Sequence, residues 1–267
     1  MMVQDQHFNG IIMYRQNYRE QDLLVKVLTE HAGKRMFFLK RARQTNFPLA
    51  SALLPFTTAT YEGKLNLTGL SFINTARNVT NYPQLLADIK LNAYTTYIMS
   101  LLDAAYEDRI SIPKWYNQLK VVLGKLNAGI DPQVIAQIIA IQMLEPFGVK
   151  PSLSACVSCQ QTQITMDFSP RHNGMLCQNH WALDEHRLHL SPRAVYYLQH
   201  FQTLDLTRIN SITMKQGTKD ELQRFIDERY TNAVGIQLKA KSFIDQMDSW
   251  QQASQTLIAK RRHLQDN

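Results

Sequence analysis

The chain's three cysteines and one nearby histidine have the spacing of a metal site. Cys156 and Cys159 form one pair, Cys177 and His180 form a second, and two residues separate the members of each pair. A two-residue gap lets a tight turn aim both side chains at one ion, and three sulfurs with one imidazole suit tetrahedral Zn²⁺. The pattern predicts one structural zinc ion, because four protein ligands leave no open position for catalysis.

Other interpretations of these residues stay open. A single Cys-x-x-Cys pair can be a redox pair in a reducing compartment, or half of a disulfide network in a secreted protein. Three unmetallated thiols beside a surface histidine are a further possibility, although scattered cysteines seldom have this spacing. The fourth ligand is also open between His180 and its neighbours His172, His186 and His189.

The composition is that of a globular chain with an excess of positive charge. Of the 267 residues, 45% are hydrophobic, and 29 Lys and Arg outnumber 22 Asp and Glu, for a net charge of +7. This balance favours a polyanionic partner without proving one. No apolar run reaches the ~20 residues of a membrane span, and the first residues lack the pattern of a secretion signal. We therefore expect a cytoplasmic protein without membrane contact.

Positive charge is concentrated in residues 34–43, which include no acidic residue. The basic residues of this segment are Lys34, Arg35, Lys40, Arg41 and Arg43. A solvated strand end and loop would also explain them. A second cluster at residues 260–262 lies in a Gln-rich terminus and is assigned to a solvated chain end.

Apolar runs and turn signals predict strands in the first 80 residues and helices after them. The runs cover residues 11–14, 23–29, 36–39, 56–61 and 70–76. Five short strands, with a glycine turn at His31–Lys34, fit a closed or nearly closed barrel of the OB-fold type. Helical spacing begins at Pro83 and continues to Leu101.

Three further helices follow from cap signals. Asp131-Pro132 predicts the start of a helix over residues 134–144, which is apolar around much of its girth and therefore central to the core. Ser191-Pro192 and the capping-box spacing of Thr218 and Glu221 indicate two more. Residues 163–168 and 174–176 are expected to form a hairpin that closes the metal site.

These elements predict an α+β protein, an N-terminal OB-fold β-barrel followed by an α-helical domain that carries a zinc-binding hairpin. The barrel would occupy residues 1–80 and the helical domain residues 81–235. The zinc hairpin would lie at residues 153–182, and residues 236–267 would form a helical or frayed tail.

Four motifs occur in a specific order along the chain. They are Tyr18-Arg19-Glu20-Gln21-Asp22 before an apolar strand; Thr29-Glu30-His31-Ala32-Gly33-Lys34; Lys40-Arg41-Ala42-Arg43; and Phe147-Gly148-Val149-Lys150-Pro151 followed by Cys156, Cys159, Phe168-Ser169-Pro170, Gly174 and Cys177. Together they resemble the RecO family of bacterial recombination mediators of the RecF pathway, from about Gly10 to about Tyr230. The chain departs from the family pattern at Arg41 and Asn173, where glycine is usual, and at His180, where zinc-bearing members usually have cysteine.

The resemblance implies a nucleoid-associated DNA-binding protein without catalytic chemistry. Members of this family bind single- and double-stranded DNA and anneal complementary strands. With RecR they help load RecA onto DNA coated by single-stranded-DNA-binding protein, whose acidic C-terminal tail docks on the helical domain. The resemblance does not place that docking pocket residue by residue.

The predicted DNA surface is the barrel, because an OB-fold offers a curved face for bases and phosphates. The predicted phosphate contacts are Arg15, Arg19, Lys34, Arg35, Lys40, Arg41 and Arg43. Tyr14, Phe37 and Phe38 are candidates for base stacking, although strand alternation places one of Phe37 and Phe38 inside the barrel.

Two other classes of protein remain as alternatives. A nucleic-acid-modifying enzyme with a structural zinc would need a catalytic constellation. The sequence contains no Gly-rich phosphate loop, no His-x-Glu deaminase signature and no nucleophile motif. The other alternative is a protein-binding scaffold that does not bind DNA and whose positive charge is incidental.

Overall fold

The computed structural model describes residues 5–250, which begin with a five-stranded antiparallel sheet. Its strands are β1 (Gln6–Tyr18), β2 (Asp22–Thr29), β3 (Gly33–Leu39), β4 (Thr58–Lys64) and β5 (Phe72–Thr80), in the order β3-β2-β1-β4-β5. The outer strands meet at Ser71, whose N–H donates to Met36 O and whose carbonyl accepts from the Phe38 N–H, both at 2.9 Å. The sheet therefore closes in the ring β1-β2-β3-β5-β4, which confirms the predicted OB-type barrel.

Strand alternation decides which side chains fill the barrel. Val25 and Val27 of β2 point inward together with Phe37 of β3, and all three are fully buried. The intervening positions point outward. Among them Ile11 of β1 and Leu28 of β2 are buried in the core of the helical region. The outer wall of the barrel is thus part of the second core.

Within the described residues, six named helices follow the barrel, and residues 239–250 are also helical. They are α1 (Pro83–Ala87), α2 (Ile89–Ala105), α3 (Pro113–Asn127), α4 (Pro132–Met143), α5 (Pro192–Phe201) and α6 (Gln216–Arg229). The predicted central position of α4 is confirmed, since Ile138 and Ala140, which lie two residues apart on nearly opposite sides of the helix, are both fully buried. Its predicted cap is confirmed too, because Asp131 accepts the N–H of Gln133 at 3.0 Å. In this part of the chain no helix has the length and apolarity to cross a membrane.

Three helical details differ from the sequence predictions. The first predicted helix is divided at Asp88, which ends α1 and caps α2 by accepting the Leu91 N–H at 2.8 Å. Helix α3 begins without a side-chain cap and has no counterpart among the predicted elements. The predicted capping box lies within α6 rather than at its start. Its Glu221 carboxylate accepts the N–H of Ser191 at 2.6 Å, at the beginning of α5.

A second sheet of three strands lies between α4 and α5. Its strands are β6 (Ser152–Cys156), β7 (Met166–Ser169) and β8 (Gly174–Cys177), in the order β6-β8-β7. The predicted hairpin is confirmed as the antiparallel pair of β7 and β8, while β6 pairs with β8 in parallel. Phe168 of β7 fixes the hairpin to the helices, because its ring packs edge-on against Phe225 of α6 with centroids 4.8 Å apart.

A cluster of charged side chains joins the barrel to the helices. Lys34 Nζ of β3 lies 2.8 Å from Asp103 Oδ1 and donates to the Asp103 carbonyl at 2.5 Å. Lys26 Nζ of β2 lies 2.6 Å from Asp108 Oδ1. Lys34 is 1% exposed and Lys26 is 6% exposed. Because a buried charge without a partner is strongly unfavourable, both lysines depend on these carboxylates.

The glycine turn between β2 and β3 packs against the loop that follows α2. A Cβ atom at Gly33 would lie 2.3 Å from the carbonyl oxygen of Ile110. The φ angle of +70° also lies in the left-handed region that favours glycine. The Arg109 N–H donates to the Lys34 carbonyl at 3.0 Å. The glycine of this sequence motif therefore permits the close contact between barrel and helices.

Candidate metal centre and nucleic-acid interface

The structure brings the four predicted metal ligands together at one end of the small sheet. The ligand atoms of Cys156, Cys159, Cys177 and His180 all lie within 4.8 Å of one another. Cys159 Sγ is 3.7 Å from Cys177 Sγ, and His180 Nδ1 is 3.2 Å from Cys177 Sγ. Tetrahedral Zn–S bonds of about 2.3 Å place two sulfurs roughly 3.8 Å apart. The cluster could therefore hold a metal ion of this size.

Two short turns aim the ligands, one after each strand. Cys156 ends β6, and its carbonyl accepts the N–H of Gln160 at 2.8 Å, which closes the tight turn that carries Cys159. Cys177 ends β8, and the 3-10 turn Gln178–Leu183 returns His180 towards it. Each two-residue gap thus corresponds to one turn, as the spacing predicts.

The cluster also favours the metal-binding form of one thiol. Burial opposes ionisation of Cys156, yet the backbone N–H groups of Cys177 and Cys159 lower the pKa of its thiol to about 6. The thiolate is the form that binds metal. Among the described residues His180 is the histidine that joins the cysteines. His172, one of the alternative ligands, instead contacts Ser169 Oγ at 3.0 Å.

Five of the seven predicted phosphate contacts are exposed near the end of the barrel where β1 turns into β2. These residues, Arg15, Arg19, Lys40, Arg41 and Arg43, are called the basic rim below. Backbone contacts hold the loop after β3 against the β1–β2 turn. The Arg43 N–H donates to Gln21 O at 2.9 Å, and the Arg41 N–H donates to Asp22 Oδ1 at 2.8 Å. Arg19, Lys40, Arg41 and Arg43 therefore start from one connected surface, and Arg15 lies three residues before the end of β1.

Arg41 occupies a backbone conformation that is unusual for its type. Its φ angle is +52°, in the left-handed region. A Cβ atom makes this region unfavourable by about 1–2 kcal/mol, whereas glycine occupies it freely. This geometry explains why a glycine suits the position in the motif, and it shows that arginine here adds a charge at the expense of backbone strain.

Lys34 and Arg35 do not belong to the exposed set, contrary to the sequence prediction. Lys34 is buried in its ion pair with Asp103, so phosphate cannot reach its ammonium group. The Arg35 guanidinium is half-buried and donates to the carbonyls of Ala32 at 3.0 Å and Asn66 at 2.5 Å. Both side chains hold the barrel and its neighbouring segments together, so neither is available for the predicted phosphate contact.

The three aromatic candidates for stacking lie in different environments. Phe37 is fully buried in the barrel core, while its neighbour Phe38 points outward and is half-buried. Tyr14 packs against the helical core, where burial and the charge of Asp103 raise the pKa of its hydroxyl. Only Phe38 of the three therefore faces the same surface as the basic rim.

Two exposed aromatic residues beside Phe38 were missed by the sequence reasoning. Tyr18 is 37% exposed and Phe72 is 39% exposed, and each contacts Phe38 edge-on. The outward position of Phe72 could have been predicted from the sequence. Side chains alternate along a strand, so Phe72 points outward if its neighbour Ile73 lies in the barrel core. The contact between the three rings depends on strand pairing and has no signature in the sequence.

The structure defines a two-part protein, an OB-type barrel joined to a helical region with a Cys₃His cluster, and barrels of this type bind oligonucleotides or oligosaccharides in many proteins. Comparison with known proteins identifies the family to which the chain belongs. The family model described as "Recombination protein O N terminal" matches residues 2–82, and that described as "Recombination protein O C terminal" matches residues 86–242. The chain therefore belongs to the RecO family of DNA repair proteins.

Two relatives are similar in sequence to this chain along nearly its whole length. The chain is 49% identical to "DNA repair protein RecO" of Limosilactobacillus reuteri (strain DSM 20016) over 245 residues, which are 92% of this chain and 94% of the relative. It is 46% identical over 246 residues to the protein of the same name from Lactiplantibacillus plantarum. The aligned residues are 92% of this chain and 95% of the relative. The resemblance stated from the four motifs is thus confirmed.

Proposed function

We propose that the protein is a recombination mediator that binds single- and double-stranded DNA through the basic rim. In this proposal it anneals complementary strands and, with RecR, helps load RecA onto DNA coated by single-stranded-DNA-binding protein. The observation that carries the proposal is the set of five exposed cations at one end of an OB-type barrel. Membership of the RecO family supports the assignment of RecR, RecA and single-stranded-DNA-binding protein as partners.

Annealing by such a surface requires no catalytic group. Two complementary strands repel each other through their phosphates, and cations that contact both backbones reduce this repulsion. Each phosphate contact also releases a counterion, so binding weakens steeply as salt rises. The basic rim supplies these contacts from short loops, and Arg43 is held in place because its Nη1 donates to the Glu20 carbonyl at 2.8 Å.

We infer that the Cys₃His cluster holds one structural Zn²⁺. Thiolates and imidazole are donors that suit this ion, and the sulfur–sulfur distance of 3.7 Å supports the fit. The ion would join the turn after β6 to the turn after β8 and so brace the hairpin. Four protein ligands would leave no open position for a substrate, which favours a structural role over a catalytic one.

We also propose a division of the chain into a barrel over residues 1–80, a helical domain over 81–235 with the hairpin at 153–182, and a tail over 236–267. Its support is that β5 ends at Thr80 and α1 begins at Pro83. Of the tail, residues 239–250 are helical, and the basic cluster at 260–262 lies outside the described residues. The proposal includes a cytoplasmic location, the tail of single-stranded-DNA-binding protein as partner, and no enzymatic step.

A strand-annealing assay tests the proposal. Complementary oligonucleotides are mixed with the protein, both free and coated with single-stranded-DNA-binding protein, and duplex formation is followed over time. We expect annealing in both conditions and a steep loss with salt. Absence of annealing and of DNA binding would contradict the proposal, and turnover of nucleotide or DNA would favour the enzyme alternative.

A matched pair of triple variants locates the surface. Replacement of Lys40, Arg41 and Arg43 by Gln should weaken binding similarly for different DNA sequences and flatten the salt dependence. The control replaces three exposed basic residues of the helical region by Gln, so that the change in net charge is the same. These control residues are Lys114, Lys120 and Arg193. Equal losses in the two variants would show that net charge, rather than the basic rim, controls binding.

A further inference from the structure

Three aromatic side chains form a continuous row on the outer wall of the barrel. Tyr18 and Phe38 lie with ring centroids 6.1 Å apart at an interplanar angle of 88°. Phe38 and Phe72 lie 6.3 Å apart at 87°. The row connects the end of β1 with β3 and the start of β5. Because these contacts are edge-to-face, no ring stacks face-to-face on another ring of the row.

The pairing of the strands produces this row. Alternation buries Phe37 and Ile73 in the barrel, so their neighbours Phe38 and Phe72 point outward. The hydrogen bonds of Ser71 to the backbone of β3 then place Phe72 beside Phe38. Large aromatic rings that stay partly exposed at adjacent positions of a surface are typical of binding sites.

A groove of about 510 Å³ lies next to the row. Its volume is in the range of small-molecule sites. Aromatic, aliphatic and polar side chains line it, including Phe38, Lys40, Phe47, Leu49, Phe72 and Asn74. In the described part of the chain its lining contains no acidic residue. The groove therefore offers apolar ring faces together with a cation at its edge.

The charge around the row favours nucleic acid over an apolar protein segment. The Arg19 guanidinium lies 5.2 Å from the centroid of the Tyr18 ring. Lys40 borders the groove, and Arg41 and Arg43 follow it on the same loop. A ligand that fits this arrangement has flat apolar faces and regularly spaced negative charges. Unpaired nucleotides have both, whereas the bases of a duplex are already stacked on each other.

We propose that Tyr18, Phe38 and Phe72 form a platform that stacks the bases of single-stranded DNA, while the basic rim binds the phosphates beside it. This inference rests on the proposed function and adds a specific way to distinguish single strands from duplexes. Phosphate contacts alone serve both forms. Only unpaired bases can stack on the rings, so the platform favours single strands that are ready to anneal.

The test compares a normal oligothymidylate with an abasic oligonucleotide of equal length and charge. A length of about 12 nucleotides lies within the site size of one OB-fold. The wild-type protein should bind the normal strand on the order of a hundredfold more tightly than the abasic strand, since each of three stacked bases contributes about 1 kcal/mol or more. Phe38→Leu and Phe72→Leu should each weaken binding to the normal strand roughly five- to tenfold. Neither change should alter binding to the abasic strand.

Two controls separate stacking from charge and from general damage. Tyr196→Leu removes an aromatic residue of α5 that is 54% exposed, and it should leave both affinities unchanged. The triple Gln variant of the basic rim should lose affinity equally for both strands. Thermal unfolding of the Leu variants verifies that the barrel is intact, since leucine retains much of the apolar volume at each position.

Each result has a distinct meaning. Equal binding of the wild-type protein to normal and abasic strands would overturn the stacking platform while DNA binding stands. Binding of neither strand would overturn the proposed function itself. If the Leu variants bound DNA normally but lost their association with RecR, the row would be a protein-docking surface and the stacking proposal would be wrong.

Discussion

Replacement of Lys34 by Met separates a structural cation from one that contacts DNA. Lys34 and Lys40 lie in the same short basic segment, yet Lys34 is 1% exposed and Lys40 is exposed. The Lys34→Met change keeps an apolar side chain of similar length and removes only the charge. It leaves the carboxylate of Asp103 without its nearest cation, which lies 2.8 Å away in the native protein.

The magnitude follows from the surroundings of this carboxylate. Removal of one partner of a buried ion pair costs about 3–5 kcal/mol. Asp103 retains 27% exposure, and Lys26 Nζ remains 3.5 Å from it, so part of the charge stays compensated. We therefore expect a loss of about 2–3 kcal/mol in the free energy of unfolding. In urea titrations this corresponds to a fall of roughly 1 M in the midpoint.

The matched variant is Lys40→Met, assayed in parallel for stability and DNA affinity. Lys34→Met should bind single-stranded DNA as the wild-type protein does wherever it is folded. Lys40→Met should retain its stability and reduce the slope of log affinity against log salt by about 0.7. If Lys34→Met keeps its stability and weakens DNA binding as much as Lys40→Met does, Lys34 contacts DNA and its structural role is refuted.

Three further predictions concern the strained turn, the metal cluster and the ion pairs. Arg41→Gly should raise the free energy of unfolding by up to about 1 kcal/mol and weaken DNA binding. Arg41→Ala should weaken DNA binding without that gain in stability. Chemical denaturation measures the stability, and binding titrations measure the affinity. Replacement of Cys156 and Cys159 by Ser should abolish bound zinc and lower the melting temperature; full zinc content by elemental analysis would contradict the site. Burial opposes ionisation of Asp108, but its hydrogen bond and ion pair with Lys26 lower its pKa below the ordinary 3.8. The stabilising effect of the Asp108 carboxylate is therefore complete well above pH 3.8 and is lost as the pH falls through the lowered pKa. Asp108→Asn should be less stable than the wild-type protein near neutral pH and lose less stability in acid. An unchanged dependence of stability on acid pH would contradict this assignment.

Much of the fold was predictable because it follows from local patterns. Alternation and turn residues identified the five strands, and their number suggested a barrel. The cap at Asp131 and the apolar girth of α4 identified the central helix. Helix α3 was missed although Pro113 at its start and apolar residues at helical spacing were available as signals. The break at Asp88 was missed because helical spacing continues across it.

The metal cluster was more predictable than the DNA surface. Ligands that share a turn are close in sequence, so their spacing reports directly on geometry. The assignment of cations to DNA contacts needs their exposure, which depends on distant residues. Lys34 illustrates this, because its partner Asp103 lies 69 residues further along the chain. Nothing in residues 34–43 distinguishes it from Lys40.

The sequence by itself determined the family, the succession of a β-barrel and a helical region, and the two ligand pairs. Each of these depends on residue types at short, regular separations. The tertiary structure alone decided which cations remain exposed and which aromatic rings meet. Tyr18, Phe38 and Phe72 come together because Ser71 closes the barrel through backbone hydrogen bonds. Such bonds are available to every residue type except proline, so a closure of this kind leaves no specific mark in the sequence.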